Sequence, residues 1–355
     1  TGCMANNYKQ SLLDTKTINF VVDNERKTSI FSIVENHFRG EVADPEGFDH
    51  DVFSYESAYK TFHTRSMIKI QDGCDNFCTF CIIPKVRGRA TSRPAEEIYK
   101  NIREVVEHGF KEVVLTGVNI GRYEDGEINF EKLIENILEI PGDFRLRISS
   151  IEPDGFSERF FELFAHPKLT PHLHLCLQSG DESILLRMRR MYTAKQFRQM
   201  ANKLKEMYPD FNLTTDIIVG FPGETDETFK TTVDVANDLQ FSHIHTFKYS
   251  VRSGTRAERM PDQLSEKIKN QRSEVIRKLS ETNKENYFNR MIGKPQRMLI
   301  ERIGSDGTAR GYGENYIPIR LKAKNLTKNQ FVDVVLTGLH HGNELEMTAE
   351  LLPQP

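Results

Sequence analysis

The sequence predicts an α/β protein built on a parallel sheet with helices outside it, followed by a small all-β module. Three observations predict it. Between Ser66 and about Arg259, six short apolar strands alternate with helical patterns; a highly charged helical stretch follows; and beyond it, four short strands are separated by Gly and Asn turns. Strand-then-helix units in series imply crossover connections, which is how parallel neighbours are joined.

The expected strands are Met67–Gln71, Glu112–Thr116, Arg145–Ile148, His172–Leu177, Asn212–Val219 and His243–Lys248. Between them, Pro94 suits a first helical turn, Ile98, Ile102, Val105 and Val106 recur at helical spacing, and Gly109 is a stop. Leu133, Ile134, Ile137 and Leu138 form a second stripe, Phe197, Met200, Ala201 and Leu204 a third, and Phe229, Val233 and Ala236 a fourth. Six units are too few for a closed eightfold barrel and suit a partial, open one. A doubly wound open sheet fits the same pattern. Gln263–Tyr287, with Leu264, Ile268, Val275, Ile276 and Leu279 on one side, reads as a connecting helix. Pro295–Ile303, Gly307–Tyr312, Tyr316–Leu321 and Gln330–Leu336 read as strands of a small barrel. Residues 1–65, with the short apolar run Ile18–Val22 and an acidic, loop-like stretch from Glu41 to Asp51, hold too few apolar elements for a whole domain. They read as the remnant of an N-terminal α/β domain that begins ahead of residue 1. The expected divisions are therefore 1–65, 66–287 and 288–355.

Of the 355 residues, 38% are hydrophobic and 28% charged, and the mean hydropathy of −0.52 excludes a disordered or membrane-embedded chain. No apolar run approaches the roughly 20 residues of a membrane-spanning helix. Thr1-Gly2-Cys3-Met4 lacks a basic-then-apolar leader, so the cytoplasm is the expectation, with no membrane partner. The charges, 48 basic against 51 acidic, are unevenly spread. Phe288 to Gln330 carries nine Lys/Arg and three Asp/Glu, whereas Phe331 to Pro355 has four acids and no Lys or Arg. Lys85, Arg87, Arg89 and Arg93 stand together without an acid among them. Such runs are ordinarily solvated faces, and become a polyanion surface only when other observations agree.

Three of the five cysteines fall within eight residues, as Cys74-x3-Cys78-x2-Cys81, directly after the first strand. Three thiolates on one loop can hold three corners of an iron–sulfur cubane and leave one iron open to a substrate or cofactor. The competing reading is a closed structural zinc site with Cys176 as fourth ligand. A lone strand cysteine such as Cys176 is more often a small buried hydrophobe.

The run from Gly73 to Pro94 resembles the cluster loop of the radical S-adenosylmethionine (SAM) enzymes, and among them the methylthiotransferases. The resemblance covers nearly the whole chain. Leu115-Thr116-Gly117 is similar to the motif that ends the second strand and holds the SAM amino group. Leu177-Gln178-Ser179-Gly180-Asp181 and Arg190-Met191-Tyr192-Thr193 are similar to SAM-contacting segments, Asp216 to Thr225 to the fifth-strand motif near the adenine, and Tyr249-Ser250-x-Arg252-x-Gly254-Thr255 to the segment that closes the barrel. The terminal β-module resembles an RNA-binding TRAM domain. Each short motif alone could be a strand-end turn; their order at successive strand C-termini is what carries the likeness, because α/β sheets bind ligands at that edge.

The resemblance implies a partial (βα)6 radical SAM barrel with a TRAM-like barrel after it. It implies a [4Fe–4S] cluster on Cys74, Cys78 and Cys81, and SAM-binding roles for Thr116, Gly117, Glu152, Gln178, Ser179, Arg190 and Asp216, with Arg190 on the SAM carboxylate. Thr1-Gly2-Cys3-Met4-Ala5 is similar to the surroundings of one ligand of a second, auxiliary cluster, whose other two cysteines would precede residue 1. The implied chemistry is homolytic cleavage of SAM, removal of hydrogen from C2 of an adenine and delivery of a methylthio group. The implied partners are a tRNA anticodon stem-loop and a flavodoxin- or ferredoxin-like electron donor, acting on a monomer. RNA contacts would come from Lys85, Arg87, Arg89, Arg93, Arg310 and Arg320, with Lys322 and Lys324 beside them and Tyr312 and Tyr316 as stacking surfaces. Arg147-Ile148-Ser149-Ser150-Ile151-Glu152-Pro153, Ile82-Ile83-Pro84 and Gly311-Tyr312-x-x-Asn315-Tyr316 lean toward the branch acting on threonylcarbamoyladenosine next to the anticodon, rather than on isopentenyladenosine or on a ribosomal-protein aspartate. A zinc-stabilised RNA-binding protein without catalysis is the remaining alternative.

Overall fold

The computed structural model describes residues 1–42, 44–48, 51–53, 64–153 and 155–353. Positions 43, 49 and 50 of the acidic stretch, and 54–63 at the end of the first zone, lie outside the described residues.

Strand order decides between the two topologies left open by the sequence. Strands β1 (Arg65–Lys69), β2 (Glu112–Thr116) and β3 (Arg145–Ile148) pair in that order and in parallel, Met67 beside Val114 and Val114 beside Arg147. The chain then continues through Ser150–Ile151 into parallel pairing with β4 (His172–Leu175), which pairs with β5 (Asn212–Val219), which pairs with β6 (His243–Lys248). Every strand lies beside its sequence neighbour, so the sheet winds in one direction only. A doubly wound sheet reverses its order at a switch point; this one does not. Among the described residues no pairing joins β1 to β6, and the barrel is partial and open.

The outer layer is the helices α4 (Ala95–Glu107), α5 (Phe130–Leu138), α6 (Glu158–Leu163), α8 (Ala194–Met207) and α9 (Asp226–Leu239), with the short α7 (Glu182–Met188) ahead of α8 in the chain. The stripes Ile98/Ile102/Val105, Leu133/Ile134/Ile137 and Phe197/Ala201/Leu204 are buried in one core with Val113, Leu115, Leu146, Leu173, Leu175, Leu213, Ile217 and Ile244 of the strands. Burial of each large side chain contributes about 1.5–3 kcal/mol. Alternate residues of β4, β5 and β6 face the other way and are polar: His172 and His174, Asn212, Thr214 and Asp216, His243 and His245. In a closed eightfold barrel these positions would be packed with branched apolar side chains. Here they line an open lumen.

Ahead of the barrel, α1 (Cys3–Asp14) packs on the short helix α3 (Ile83–Arg87) that follows the cysteine loop, and α2 (Ile30–Arg39) lies beyond it. After the barrel, α10 runs from Glu266 to Met291, four residues past the expected end, and is about 39 Å long at 1.5 Å per residue. Its first turns are clamped to the barrel through Arg272, which pairs with Glu224 at 2.5 Å and Asp226 at 2.7 Å. Its last turn places Tyr287, Phe288 and Met291 in the core of the small barrel.

That barrel is closed and five-stranded, in the order β7 (Pro295–Ile303), β8 (Thr308–Tyr312), β9 (Pro318–Lys322), β11 (Leu345–Leu351) and β10 (Phe331–His341). The fifth strand was not anticipated. A register shift between Leu336 and Gly338 breaks the apolar alternation of β10, so the sequence reads as ending at Leu336 while the strand continues to His341 and turns back.

The two barrels meet over Glu112. Its carboxylate accepts from Arg145 Nε at 2.6 Å and Arg147 Nε at 2.9 Å, all three side chains being buried. Arg145 donates onward to the carbonyls of Arg297 and Tyr312, each at 3.1 Å. Burial opposes the Glu112 charge, yet Arg147 and Arg145 hold its carboxyl well below the usual range.

Candidate active site

The loop after β1 is shaped by backbone conformations that few residues tolerate. Gly73 has φ +69°, and a Cβ there would lie 1.9 Å from the Arg89 carbonyl oxygen, so only glycine fits. Phe77, between the first two cluster cysteines, also has positive φ, at 50°. Gln71 ties the loop to the end of β2: its side-chain carbonyl accepts from the backbone N–H of Val118 and Asn119, and its amide donates to the carbonyls of Asp72 and Gly73.

Each cysteine sulfur in this loop receives an N–H. Asn76 N–H reaches Cys74 Sγ at 3.5 Å, Ile83 N–H reaches Cys81 Sγ at 3.5 Å, and Arg190 Nη1 reaches Cys78 Sγ at 3.2 Å. Hydrogen bonds to sulfur of this kind tune iron–sulfur ligands. A closed zinc site on this loop would need a fourth protein ligand. Cys176 is placed elsewhere, in contact with Asp216 at 3.9 Å rather than with the loop cysteines.

Arg190 is the centre of the second part of the site. Its side chain is 5% exposed; Nε donates to Tyr192 Oη at 3.1 Å, and Nη2 stands 3.0 Å from Glu152 Oε1, close enough to pair but not aligned to hydrogen-bond. Asn76 Nδ2 donates to the other Glu152 oxygen at 2.7 Å. The Tyr192 hydroxyl donates a hydrogen bond shared between the Cys176 and Leu177 carbonyls. Burial pushes the Cys78 thiol up to about 11, with Arg190 pulling it back. Burial also opposes the Arg190 charge, but Tyr192, Glu152 and Cys78 hold its pKa well above the ordinary value. A buried guanidinium with one unaligned N–H beside the cysteine loop suits the carboxylate of SAM.

The remaining expected SAM residues are dispersed. Gln178 adopts φ 66° and bridges to β5, its N–H donating to the Asp216 carbonyl at 2.8 Å; a non-glycine residue held there marks a constrained position at the strand mouth. Ser179 turns away from the cysteines, its hydroxyl against Thr232 of α9 at 3.2 Å. Gly117 is packed against the Gln71 carbonyl, where a Cβ would come within 2.7 Å, and Thr116 accepts from Ile70 N–H. Asp216 faces the lumen, paired with His174 Nε2 at 3.1 Å. The Gly220-to-Thr225 motif acts mainly in folding: Glu224 accepts from Gly220 N–H and pairs with Arg272, and Thr225 caps α9.

Sequence reasoning missed Asn76, it missed Asn119, whose Nδ2 lies 3.9 Å from Cys74 Sγ, and it missed the lumen histidines. The signal for the latter was available. His172/His174 and His243/His245 alternate with leucine and isoleucine, whereas parallel strands buried on both faces read as continuous apolar runs. The resulting cleft has a volume of about 1070 Å³, reaches from Ser150 and Asp216 to Tyr312, Tyr316 and Leu345 of the small barrel, and is walled on one side by α10. Burial, reinforced by neighbouring charges, lowers His243 to about 4 and holds His172 and His245 below their ordinary value.

Of the expected RNA contacts, Arg93 is buried and turns to Asn101 at 3.1 Å and Glu97 at 3.4 Å, so it has no face for a phosphate. Arg87 is held by Cys3 Sγ and Asp72, each at 3.2 Å, Arg89 by Asp75 at 2.5 Å, and Arg310 by Glu346 at 3.3 Å. Lys85 and Lys322 are exposed and Arg320 half-buried, and among the described residues none of the three makes an ion pair. Tyr312 and Tyr316 stack on each other at 4.7 Å, with Arg65 and Arg147 over their rings. They belong to the joint between the barrels, where the stacking expected for RNA bases is already occupied.

The partial barrel and its cysteine loop define the radical SAM class, and the family described as "Radical SAM superfamily" matches residues 68–236. Curated relatives narrow this further. The chain is 41% identical over 268 residues to the threonylcarbamoyladenosine tRNA methylthiotransferase MtaB of Thermotoga maritima, covering 74% of this chain and 62% of that protein. It is 36% identical over 304 residues to MtaB of Chlamydia pneumoniae (85% and 70%) and 35% identical over 348 residues to the tRNA-2-methylthio-N(6)-dimethylallyladenosine synthase of Aliarcobacter butzleri (95% and 79%). The chain belongs to the radical SAM methylthiotransferase family. It spans less than two thirds of the length of the Thermotoga relative. No helix among the described residues is long and apolar enough to cross a membrane.

Proposed function

We propose that this chain is the catalytic and RNA-gripping part of a methylthiotransferase that modifies C2 of N6-threonylcarbamoyladenosine beside the tRNA anticodon. The observation that carries the reading is the union of a three-cysteine loop, each sulfur hydrogen-bonded, with a polar lumen large enough for a modified nucleoside. Cys74, Cys78 and Cys81 would hold a [4Fe–4S] cluster, which with SAM supplies the one-electron cleavage that makes a carbon radical. Around it, Arg190, Glu152 and Asn76 orient the SAM amino-acid end, while Gln178 and Asp216 shape the mouth through which the adenine enters. The target C–H is aromatic and beyond ordinary acid–base chemistry, so the residues' task is to aim and to exclude water. Residues 66–287 would form the SAM core and 288–355 the RNA-binding module, with Lys85, Arg320, Lys322 and Lys324 as phosphate contacts. A tRNA substrate would be met in the cytoplasm, and on this reading the protein acts there as a monomer with a small flavodoxin- or ferredoxin-like donor.

The dimethylallyl substrate is the second reading, favoured by the Aliarcobacter relative. The lumen weighs against it. Its positions on the partial-barrel strands are histidine, asparagine, threonine, aspartate and serine apart from Phe247, so a dimethylallyl group would have to rely on the apolar side chains opposite, Phe288, Pro318 and Leu345. Mass spectrometry of tRNA from cells lacking the full-length gene tests both. Loss of the methylthio form of threonylcarbamoyladenosine supports the first reading, loss of the methylthio form of dimethylallyladenosine supports the second, and retention of both overturns the two together.

A further inference from the structure

The wall of the lumen contributed by α10 carries an ammonium group that, among the described residues, has no carboxylate in ion-pair contact. Ser280 Oγ accepts from the Ile244 N–H at 2.9 Å and so docks α10 against β6. Lys284 lies one turn further along the same helix face, over the Phe288 ring at 5.4 Å and close enough to His243 to depress that ring's basicity. Lys284 is half-buried, lines the cleft, and among the described residues has no carboxylate within 4.0 Å. Arg87, Arg89, Arg145, Arg147, Arg190 and Arg272 all have acid partners, whereas Lys284, like Lys85 beside the cysteine loop, has none in contact among the described residues, and of these two Lys284 is the one that lines the lumen.

Every charged or titratable neighbour of Lys284 can be placed. On its own helix, Glu281 and Glu285 are exposed at the solvent edge. Across the cleft, Glu344 on the turn between β10 and β11 favours the Lys284 charge from an exposed position, and His341, the last residue of β10, is exposed too. On β6, His243 and His245 face it, both neutral near pH 7, and beyond them Asp216 is already paired with His174. Solvated carboxylates at the rim are screened within a Debye length of about 8 Å at physiological salt, while a half-buried ammonium is screened less. Burial lowers the Lys284 pKa, so an arriving anion would restore the charge that the site disfavours. A neutral imidazole beside it can donate a hydrogen bond to the same anion.

We propose that Lys284, assisted by His243, receives the free carboxylate of the threonylcarbamoyl substituent, and that this wall of the lumen reads the group on N6. The proposal rests on the threonylcarbamoyl reading given above. It assigns substrate choice within the family to one side chain of the connecting helix, on the opposite side of the lumen from the cysteine loop. A dimethylallyl group has nothing to offer an ammonium and would leave it desolvated and unpaired.

The test uses three anticodon stem-loops of one sequence, bearing threonylcarbamoyladenosine, its methyl ester, or plain adenosine at the modified position. Binding to this chain is measured by fluorescence anisotropy, with thermal unfolding as a check on folding. A charge-assisted hydrogen bond corresponds to roughly a tenfold or greater preference for the acid over the ester. The expected result is that preference in the unaltered chain, its collapse to about 1 in Lys284→Met, and its partial return in Lys284→Arg. If the unaltered chain prefers the acid to adenosine but does not separate acid from ester, or if Lys284→Met separates them undiminished, the Lys284 assignment is overturned and the substrate reading stands. If the unaltered chain does not distinguish the acid from adenosine at all, the substrate reading itself fails and takes this proposal with it.

Discussion

Arg190 and Cys78 meet at 3.2 Å, guanidinium N–H to sulfur, while Glu152 faces the same guanidinium at 3.0 Å. The arginine therefore touches both a cluster ligand and the place where an amino-acid end would sit, and the two roles can be separated. Replacing Arg190 by Gln keeps one donor for Cys78 and removes the fork. We expect reconstituted iron content to stay near that of the unaltered chain, and SAM affinity to fall by at least about tenfold, the loss of one charged bidentate contact. Iron assay and equilibrium dialysis read the two quantities separately. Loss of iron in step with SAM binding would make Arg190 a prop for Cys78 instead.

RNA affinity should respond to the unpaired cations and ignore the paired ones. Lys85→Ala and Arg320→Ala are each expected to weaken stem-loop binding several-fold and to reduce the slope of log affinity against log salt by about 1. Arg89→Ala, with Asp75 holding the side chain, should change the slope little. A large effect of Arg89 with none from Lys85 would move the RNA path across the cysteine loop.

Glu112→Gln should be among the most damaging single changes in the molecule. It leaves Arg145 and Arg147 buried without a counter-charge, in a place where Arg147 Nη1 already lacks a hydrogen-bond partner. Breaking such a pair from one side costs about 3 kcal/mol or more. Urea unfolding of the apo chain measures it, and because the arginines also hold the Tyr312 and Glu314 carbonyls, the small barrel should loosen along with the sheet.

Acid should destabilise the fold through its neutral histidines. His172 is depressed well below 6.5 by burial, with Arg147 adding to it, and His243 sits at about 4. The unfolded chain takes up these protons below about pH 6.5 while the folded chain resists them, His243 until about pH 4, so stability is complete above about pH 6.5 and falls as pH drops below it. The slope approaches 1.4 kcal/mol per pH unit for a fully buried histidine such as His172 and is smaller for those facing the open cleft. Urea midpoints at pH 7.5, 6 and 5 should decline in order, and His172→Asn should flatten the decline. An unchanged midpoint from pH 7.5 to 5 would contradict the buried, neutral state of His172.

The strands were legible because their outward faces are strongly apolar: four of the six barrel strands begin and end where the alternation of Val, Leu and Ile says they should. The order of pairing was not, since winding direction is a property of crossovers and not of local composition. The cysteine loop was legible from spacing alone. Arg93 was misread because a cation in a basic run looks the same from sequence whether it faces solvent or, as here, Asn101. For Tyr312 and Tyr316 the sequence leaves base stacking and packing in the small barrel both open, because the arginines that cover them, Arg65 and Arg147, come from strands far away in the chain. Lys284 lay inside a helix so densely charged that no single lysine stood out.

A helix that is bolted to one body at Arg272 and embedded in another at Phe288, with no break between, behaves as a beam. On the proposed function, a nucleic acid held by the terminal module would bear on that beam, and through it on one wall of the cleft where the base would sit.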